Sequence, residues 1–122
     1  MIWSFNQTEP VFLQIAQGLR AQILSGKLSP GSVAPTVRQL AADTAVNPNT
    51  VQRALTLLEE EGLLHTQGTT GRFVTTDQIV LQAAREALLQ RTAARFVREV
   101  HSMGLCAKDL IRYIEKEEER YE

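Results

Sequence analysis

VNPNTVQRALTLLEEEGLL, residues Val46 to Leu64, places apolar side chains at Val51, Ala54, Leu55, Leu57 and Leu58, the one-face recurrence of an amphipathic helix. Its other face is unusual. Asn49, Thr50, Gln52, Arg53 and Thr56 are hydrogen-bonding side chains of modest length, and the acids are collected at the end as Glu59, Glu60 and Glu61. When a helix enters the major groove of DNA, its N-terminal residues touch base edges while its far end stays away from phosphate. Asn and Gln pair bidentately with adenine and Arg with guanine, so Asn49, Gln52 and Arg53 are the chemical types a base-reading face carries. On these residues alone, a groove-reading face and an ordinary surface helix stand as alternatives.

The flanking sequence supplies the context. Apolar positions Phe12, Ile15, Ala16, Leu19, Ile23 and Leu24 predict a first helix that opens at Pro10 and ends at Gly26. After the Pro/Gly-punctuated loop KLSPGSVAP, Thr36 with Gln39 forms a capping box, which starts a second helix near Val37 that stops near Ala45. Asn47 is a favoured N-cap and Pro48 a favoured first residue, so a third helix runs from about Pro48 to Glu61, with Gly62 as its stop. Arg38, in the first turn of the second helix, is placed to meet phosphate or base beside the entry point of the third, although a lone Arg there is also an ordinary surface residue. Beyond Gly62 the period becomes extended, and LLHT and RFVTT around QGTTG predict a hairpin. Such a hairpin needs a surface to lean on. Three helices and a hairpin make a winged helix-turn-helix.

From Asp77 the pattern is helical again. Leu81, Ala84, Leu88, Phe96, Val100 and Met103 form one stripe, widened by Val80, Ala83, Ala87, Ala94 and Val97. Gly104 breaks the run, and Ala107, Leu110, Ile111 and Ile114 are expected to point inward from a final segment ending in EKEEERYE. The apolar face from Ile79 to Met103 is too wide for that short segment to cover, which predicts tails of two chains packed against each other. The fold class expected is mainly α with a small β-hairpin wing: a winged helix-turn-helix over residues 1–76 and a helical dimerisation tail over 77–122.

Composition narrows the function classes. In 122 residues, 43% hydrophobic content suffices for a compact core, and 13 basic against 14 acidic side chains give a net charge of -1, so any anionic partner is met locally rather than by a polycation. The single Cys excludes an internal disulfide or a Cys-based zinc site and suits a reducing compartment. MIWSFNQTEP has neither a basic start nor an apolar run, and no stretch reaches the length of a membrane span, so a soluble, cytoplasmic protein without a membrane partner is expected. His65 and His101 have no ligand at metal-binding spacing and are expected to be structural or solvent-facing. Cys106, ahead of Ala107-Lys108-Asp109, reads as a small polar N-cap, with a thiol activated by a helix N-terminus as the alternative. Trp3 and Phe5 are expected to anchor the N-terminal strip on the first helix or the tail. No nucleophile with a base and no phosphate-cradling loop is present, so neither catalysis nor a cofactor is expected.

The ordered features SGKLSPG, PTVRQLA, VNPNTVQRAL, LEEEGLL and GRFV, within Pro10 to Val74, closely resemble the DNA-binding domain of GntR-family transcription regulators. The short helical tail resembles the YtrA-type subfamily, whose tail serves mainly for dimerisation. The resemblance implies a homodimeric regulator, a repressor, on a palindromic double-stranded DNA operator. Its DNA-contacting pattern falls on Thr36 and Arg38, on Asn47, Asn49, Thr50, Gln52 and Arg53, and on Gly71 with Arg72 in the wing. On the apolar stripe of the tail, dimer contacts are expected from Leu81, Ala84, Leu88, Phe96, Val100, Leu110 and Ile114. Longer-tailed relatives carry effector domains, or an aminotransferase-like extension, for which 122 residues leave no room, and no small-molecule effector is specified. Two departures stand out: Val33-Ala34 before Pro35 replaces a basic or larger apolar pair, and the wing TQGTTGRFV is longer and less basic than usual. Up to Thr76, Arg20, Lys27, Arg38, Arg53 and Arg72 balance Glu9, Asp43, Glu59, Glu60 and Glu61, which predicts weak non-specific DNA affinity. That neutrality also admits a winged helix used as a protein-interaction scaffold, against which the joint retention of Arg38 and Arg53 argues.

Overall fold

The computed structural model describes residues 3–121. Helix α1 spans Val11–Leu24 and turns Ile15, Ala16, Leu19, Ile23 and Leu24 inward. The strip before it is fastened by Gln14, whose side-chain amide donates to the carbonyls of Asn6 and Glu9 at 3.0 Å each. Trp3 stacks on Phe5 with ring centroids 5.9 Å apart and lies across Gly18 of α1, one of the two expected supports, so Phe5 reaches the helix through Trp3.

Local chemistry sets both ends of the helix-turn-helix. Helix α2, Val37–Thr44, begins with the full capping box: Gln39 N–H donates to the Thr36 hydroxyl at 3.1 Å, and Thr36 N–H donates to the Gln39 carbonyl oxygen at 2.9 Å. It ends at Ala45, whose φ of 57° is left-handed. Helix α3, Pro48–Glu60, starts from Asn47, whose side-chain oxygen accepts from Asn49 N–H at 2.8 Å. Its end is a Schellman motif: Leu63 N–H donates to Leu58 carbonyl and Gly62 N–H to Glu59 carbonyl, each at 3.0 Å, with Gly62 at φ 80°. Leu58 and Leu63, the two apolar residues of that motif, are fully buried.

Strands β1, Leu64–Thr66, and β2, Arg72–Val74, pair antiparallel with Leu64 opposite Val74 and Thr66 opposite Arg72. The hairpin does not rest on helices alone. The loop between α1 and α2 runs along the free edge of β2: Val33 bridges Phe73, Ala34 N–H donates to Arg72 carbonyl at 2.8 Å, and Val74 N–H donates to Ser32 carbonyl at 2.9 Å. The short wing therefore has a third extended partner, which supplies the support that two three-residue strands lack.

Helix α4 spans Gln78–Ser102, and the Asp77 carboxylate accepts from Ile79 N–H at 2.9 Å at its start. Composition changes at residue 76, whereas tertiary contacts divide the chain into two compact units between Ala84 and Arg85. The first two turns of α4 belong to the first unit: Leu81 is 1% exposed, and Val80 Cγ1 lies 3.5 Å from where a Cβ would stand on Gly62.

In the second unit α4 ends at Ser102 and the chain turns at Gly104, a 3₁₀ turn covers Ala107–Leu110, and helix α5 spans Ile111–Glu119. Here an expectation is corrected. Ala107 and Leu110 are half-buried as inward residues should be, but Ile111 is 51% and Ile114 48% exposed in a single chain. Met103 at the end of α4 is likewise 61% exposed. Cys106 occupies the N-cap position of the 3₁₀ turn but makes no side-chain cap bond. Among the described residues, no helix is long and apolar enough to cross a membrane.

Candidate nucleic-acid interface

Helix α3 buries Val51, Ala54, Leu55 and Leu58, and at 3.6 residues per turn this leaves Asn49, Gln52, Arg53, Thr56 and Glu60 exposed on the opposite side. The Gln52 amide donates to the Thr56 hydroxyl at 3.5 Å, one turn along that face. Thr50 is half-buried beside it, and Asn47 spends its side-chain oxygen on the cap. Of the residues expected to touch DNA on α3, Asn49, Gln52 and Arg53 thus share one open surface at the N-terminal half of the helix.

Thr36 and Arg38 are exposed at the start of α2. Arg38 lines an open depression of about 680 Å³ together with Val33, Ala34, Pro35 and Asp43. The same loop that bounds this depression pairs with β2, and Val33 Cγ2 lies 4.0 Å from the position of a Cβ on Gly71. Backbone pairing therefore ties the base of the wing to the start of α2. Among the described residues, neither Arg38 nor Arg53 pairs with a carboxylate.

The acids at the end of α3 have separate tasks. Successive residues on a helix point about 100° apart, so Glu59, Glu60 and Glu61 cannot share a partner. Glu61 accepts two hydrogen bonds from Arg20 of α1, at 2.6 and 2.8 Å, in bidentate geometry. Glu59 takes the Arg72 guanidinium of β2. Glu60, between them, stays exposed. Two of the carboxylates clamp α3 between α1 and the wing, a role beyond keeping negative charge distant from phosphate. The pairing also engages two of the domain's cations: Arg72, expected to contact DNA from the wing, is held by Glu59 at the half-buried base of the hairpin.

Three contacts of this surface were not legible in the sequence. They are the two clamps and the stacking of Arg53 on Phe12 of α1, whose ring centroid lies 3.8 Å from the guanidinium carbon. The one signal available was geometric: three consecutive carboxylates must point three ways. His65 is exposed and stacks on its cross-strand neighbour Phe73 at 6.3 Å, in keeping with a structural role.

The residues expected to form the dimer divide by burial. Leu81 and Val100 are each 1% exposed in a single chain; Ala84, Leu88, Phe96 and Leu110 are half-buried; Ile114 is open.

Comparison with known proteins matches residues 12–74 to a family described as bacterial regulatory proteins, gntR family. The HTH-type transcriptional repressor YtrA of Bacillus subtilis is 28% identical over 112 residues, which cover 91% of this chain and 86% of that protein. The HTH-type transcriptional regulator Rv1152 of Mycobacterium tuberculosis is 33% identical over 110 residues, 87% of this chain and 84% of that one. Among solved structures, a GntR family transcriptional regulator from Listeria monocytogenes superposes with a TM-score of 0.83 at 28% identity, covering 92% of this chain and 98% of that chain.

Proposed function

We propose that this chain, which belongs to the gntR family of bacterial regulatory proteins, is a homodimeric repressor that reads an inverted-repeat operator. It is a DNA-binding transcription regulator and not an enzyme. The observation that carries the finer reading is the acid-free, exposed N-terminal face of α3, with Arg53 on it and Arg38 beside it, both guanidiniums unpaired with any carboxylate among the described residues. Asn49, Gln52 and Arg53 reach base edges, Arg38 meets base or phosphate at the start of α2, and Thr36, Asn47 and Thr50 lie at the helix starts where backbone phosphates run. Gly71 and Arg72 approach the duplex from the wing, with Arg72 exchanging part of its bond to Glu59 for phosphate. Repression is the activity in the name of the relative YtrA and is assigned here on that likeness. The site of action is the cytoplasm, where bacterial DNA lies.

Two copies join through their tails. Leu105, Ile111, Tyr113 and Ile114 are each about half exposed in one chain, and a two-fold axis lets such identical patches cover each other. Two recognition helices so related require half-sites about one helical turn apart, roughly 34–36 Å centre to centre, if both enter one face of the duplex.

Affinity selection of random duplexes by the purified protein tests this reading. An enriched palindrome is expected, with binding weakened by Arg38→Ala and Arg53→Ala, each by about 1–3 kcal/mol, and indifferent to Glu60→Ala. Enrichment of a non-palindromic site would remove the inverted-repeat dimer. Enrichment of nothing would favour a protein-interaction scaffold.

A further inference from the structure

We infer that Phe12 is a positioning residue for base reading: it holds Arg53 by the flat face of the guanidinium and leaves the donor rim free for the groove. This rests on the reading that Arg53 contacts DNA. The guanidinium carbon of Arg53 lies 3.8 Å from the Phe12 ring centroid, within the reach of a cation–π contact. Phe12 stands in the first turn of α1 and is half-buried, so the ring is placed by α1, which packs along α3, and not by the recognition helix itself.

The contrast with the two clamped arginines shows what the stacking does. Arg20 and Arg72 are held by their rims: each gives its N–H donors to a carboxylate and has fewer left for a ligand. A guanidinium is planar, and all five of its N–H groups point outward within that plane, so a ring against its face consumes none of them. Among the described residues, none accepts a hydrogen bond from the Arg53 side chain. The three arginines thus divide the labour: two bind elements together, and the third is oriented with its recognition edge open. A long, flexible side chain on the face of α3 would otherwise sample many rotamers and be ordered only on binding. Phe12 pre-orders it from outside the helix-turn-helix, which makes a residue of α1 a determinant of specificity at the base Arg53 reads.

The test uses the full-length protein and the duplex selected by the parent from a random pool. Phe12→Leu keeps apolar bulk and removes the π face; Phe12→Tyr keeps both. Phe12→Leu is expected to weaken binding on the order of tenfold, the scale of a cation–π contact that becomes desolvated under DNA, and to relax preference at a single base position. Arg53→Ala should relax the same position, the double variant Phe12→Leu/Arg53→Ala should bind no worse than Arg53→Ala alone, and Phe12→Tyr should bind like the parent. The dependence of affinity on salt should not change with Phe12→Leu, since no phosphate contact is lost. Losses from Phe12→Leu and Arg53→Ala that simply add, or a Phe12→Leu loss spread evenly over all base positions, would show a general effect on folding and overturn the inference. If Arg53→Ala weakens binding but Phe12→Leu does not, the inference fails and the base-reading role of Arg53 survives. If Arg53→Ala has no effect, both fail.

Discussion

Arg20 and Glu61 lie 41 positions apart in the chain and meet in a bidentate pair, with the side chains 13% and 33% exposed. Partial burial of the guanidinium makes this more than a surface ion pair, because removing the acid leaves a charge with little access to water. Glu61→Ala should therefore destabilise the first unit by about 1–2 kcal/mol, read from urea unfolding, whereas Glu60→Ala, with an exposed side chain, should change stability by less than about 0.5 kcal/mol. A second residue-scale prediction concerns the turn between α2 and α3. Ala45 holds φ 57° and is the one non-glycine residue with positive φ among those described. The left-handed conformation costs an L-residue roughly 1–2 kcal/mol, and glycine's greater freedom in the unfolded chain offsets about 0.4–1 kcal/mol of what its substitution would recover. Ala45→Gly is expected to raise the denaturation midpoint modestly, by the equivalent of about 0.5–1 kcal/mol, without changing which duplex is preferred.

Among the elements, α1 is held on three sides: by its own apolar face in the core, by the Arg20 clamp to α3, and by Trp3 lying across Gly18. Glycine inside a helix is ordinarily a cost of about 1 kcal/mol relative to alanine, and here close approach explains it. A Cβ on Gly18 would stand 2.7 Å from Trp3 Cζ3 and 2.9 Å from Cη2, too near for the ring to stay. Gly18→Ala should displace the indole and, through it, its stacking partner Phe5. Trp3 is the chain's single tryptophan, so its emission isolates the event: a shift to longer wavelength is expected in Gly18→Ala, with the helical circular dichroism of the parent retained. An unchanged emission maximum would show that the strip is not seated on α1.

At the scale of the whole molecule, the balance of charge should make a lone reading unit a weak DNA binder. Of its cations, Arg20 and Arg72 are engaged by Glu61 and Glu59, which leaves Lys27, Arg38 and Arg53 without a carboxylate partner among the described residues. In the proposed dimer, affinity should then depend on two such units being tethered, so that the second binds at high effective concentration. Replacing Ile111 and Ile114, about half exposed on α5, by Asp should convert the protein from dimer to monomer in sedimentation at micromolar concentration. The same double variant should lose more affinity for the full palindrome than the parent loses on a half-site, while keeping its base preferences. Because few phosphates are neutralised per unit, the parent's affinity should fall with salt less steeply than that of a strongly basic binder.

The sequence alone determined whatever depends on neighbours within one helical turn. The Thr36–Gln39 box, the Asn47 cap with Pro48 behind it and the Gly62 stop are interactions of a few residues' span, so residue type and spacing suffice to place α2 and α3 and to show which face of α3 stays polar. The hairpin was legible in the same way, from its change of period and its glycines. Tertiary structure decided what each surface charge does. Nothing near Arg20, Arg53 or Arg72 in the sequence tells an arginine held by a carboxylate from one held by an aromatic ring; the difference lies in which side chain of another element arrives beside it. It also decided that the loop carrying Val33 pairs along the free edge of β2, since a chain edge pairs through backbone groups that every residue possesses. Ile111 and Ile114 show the same limit for apolar residues: their spacing marks them for burial, and only the fold shows that one chain leaves them open.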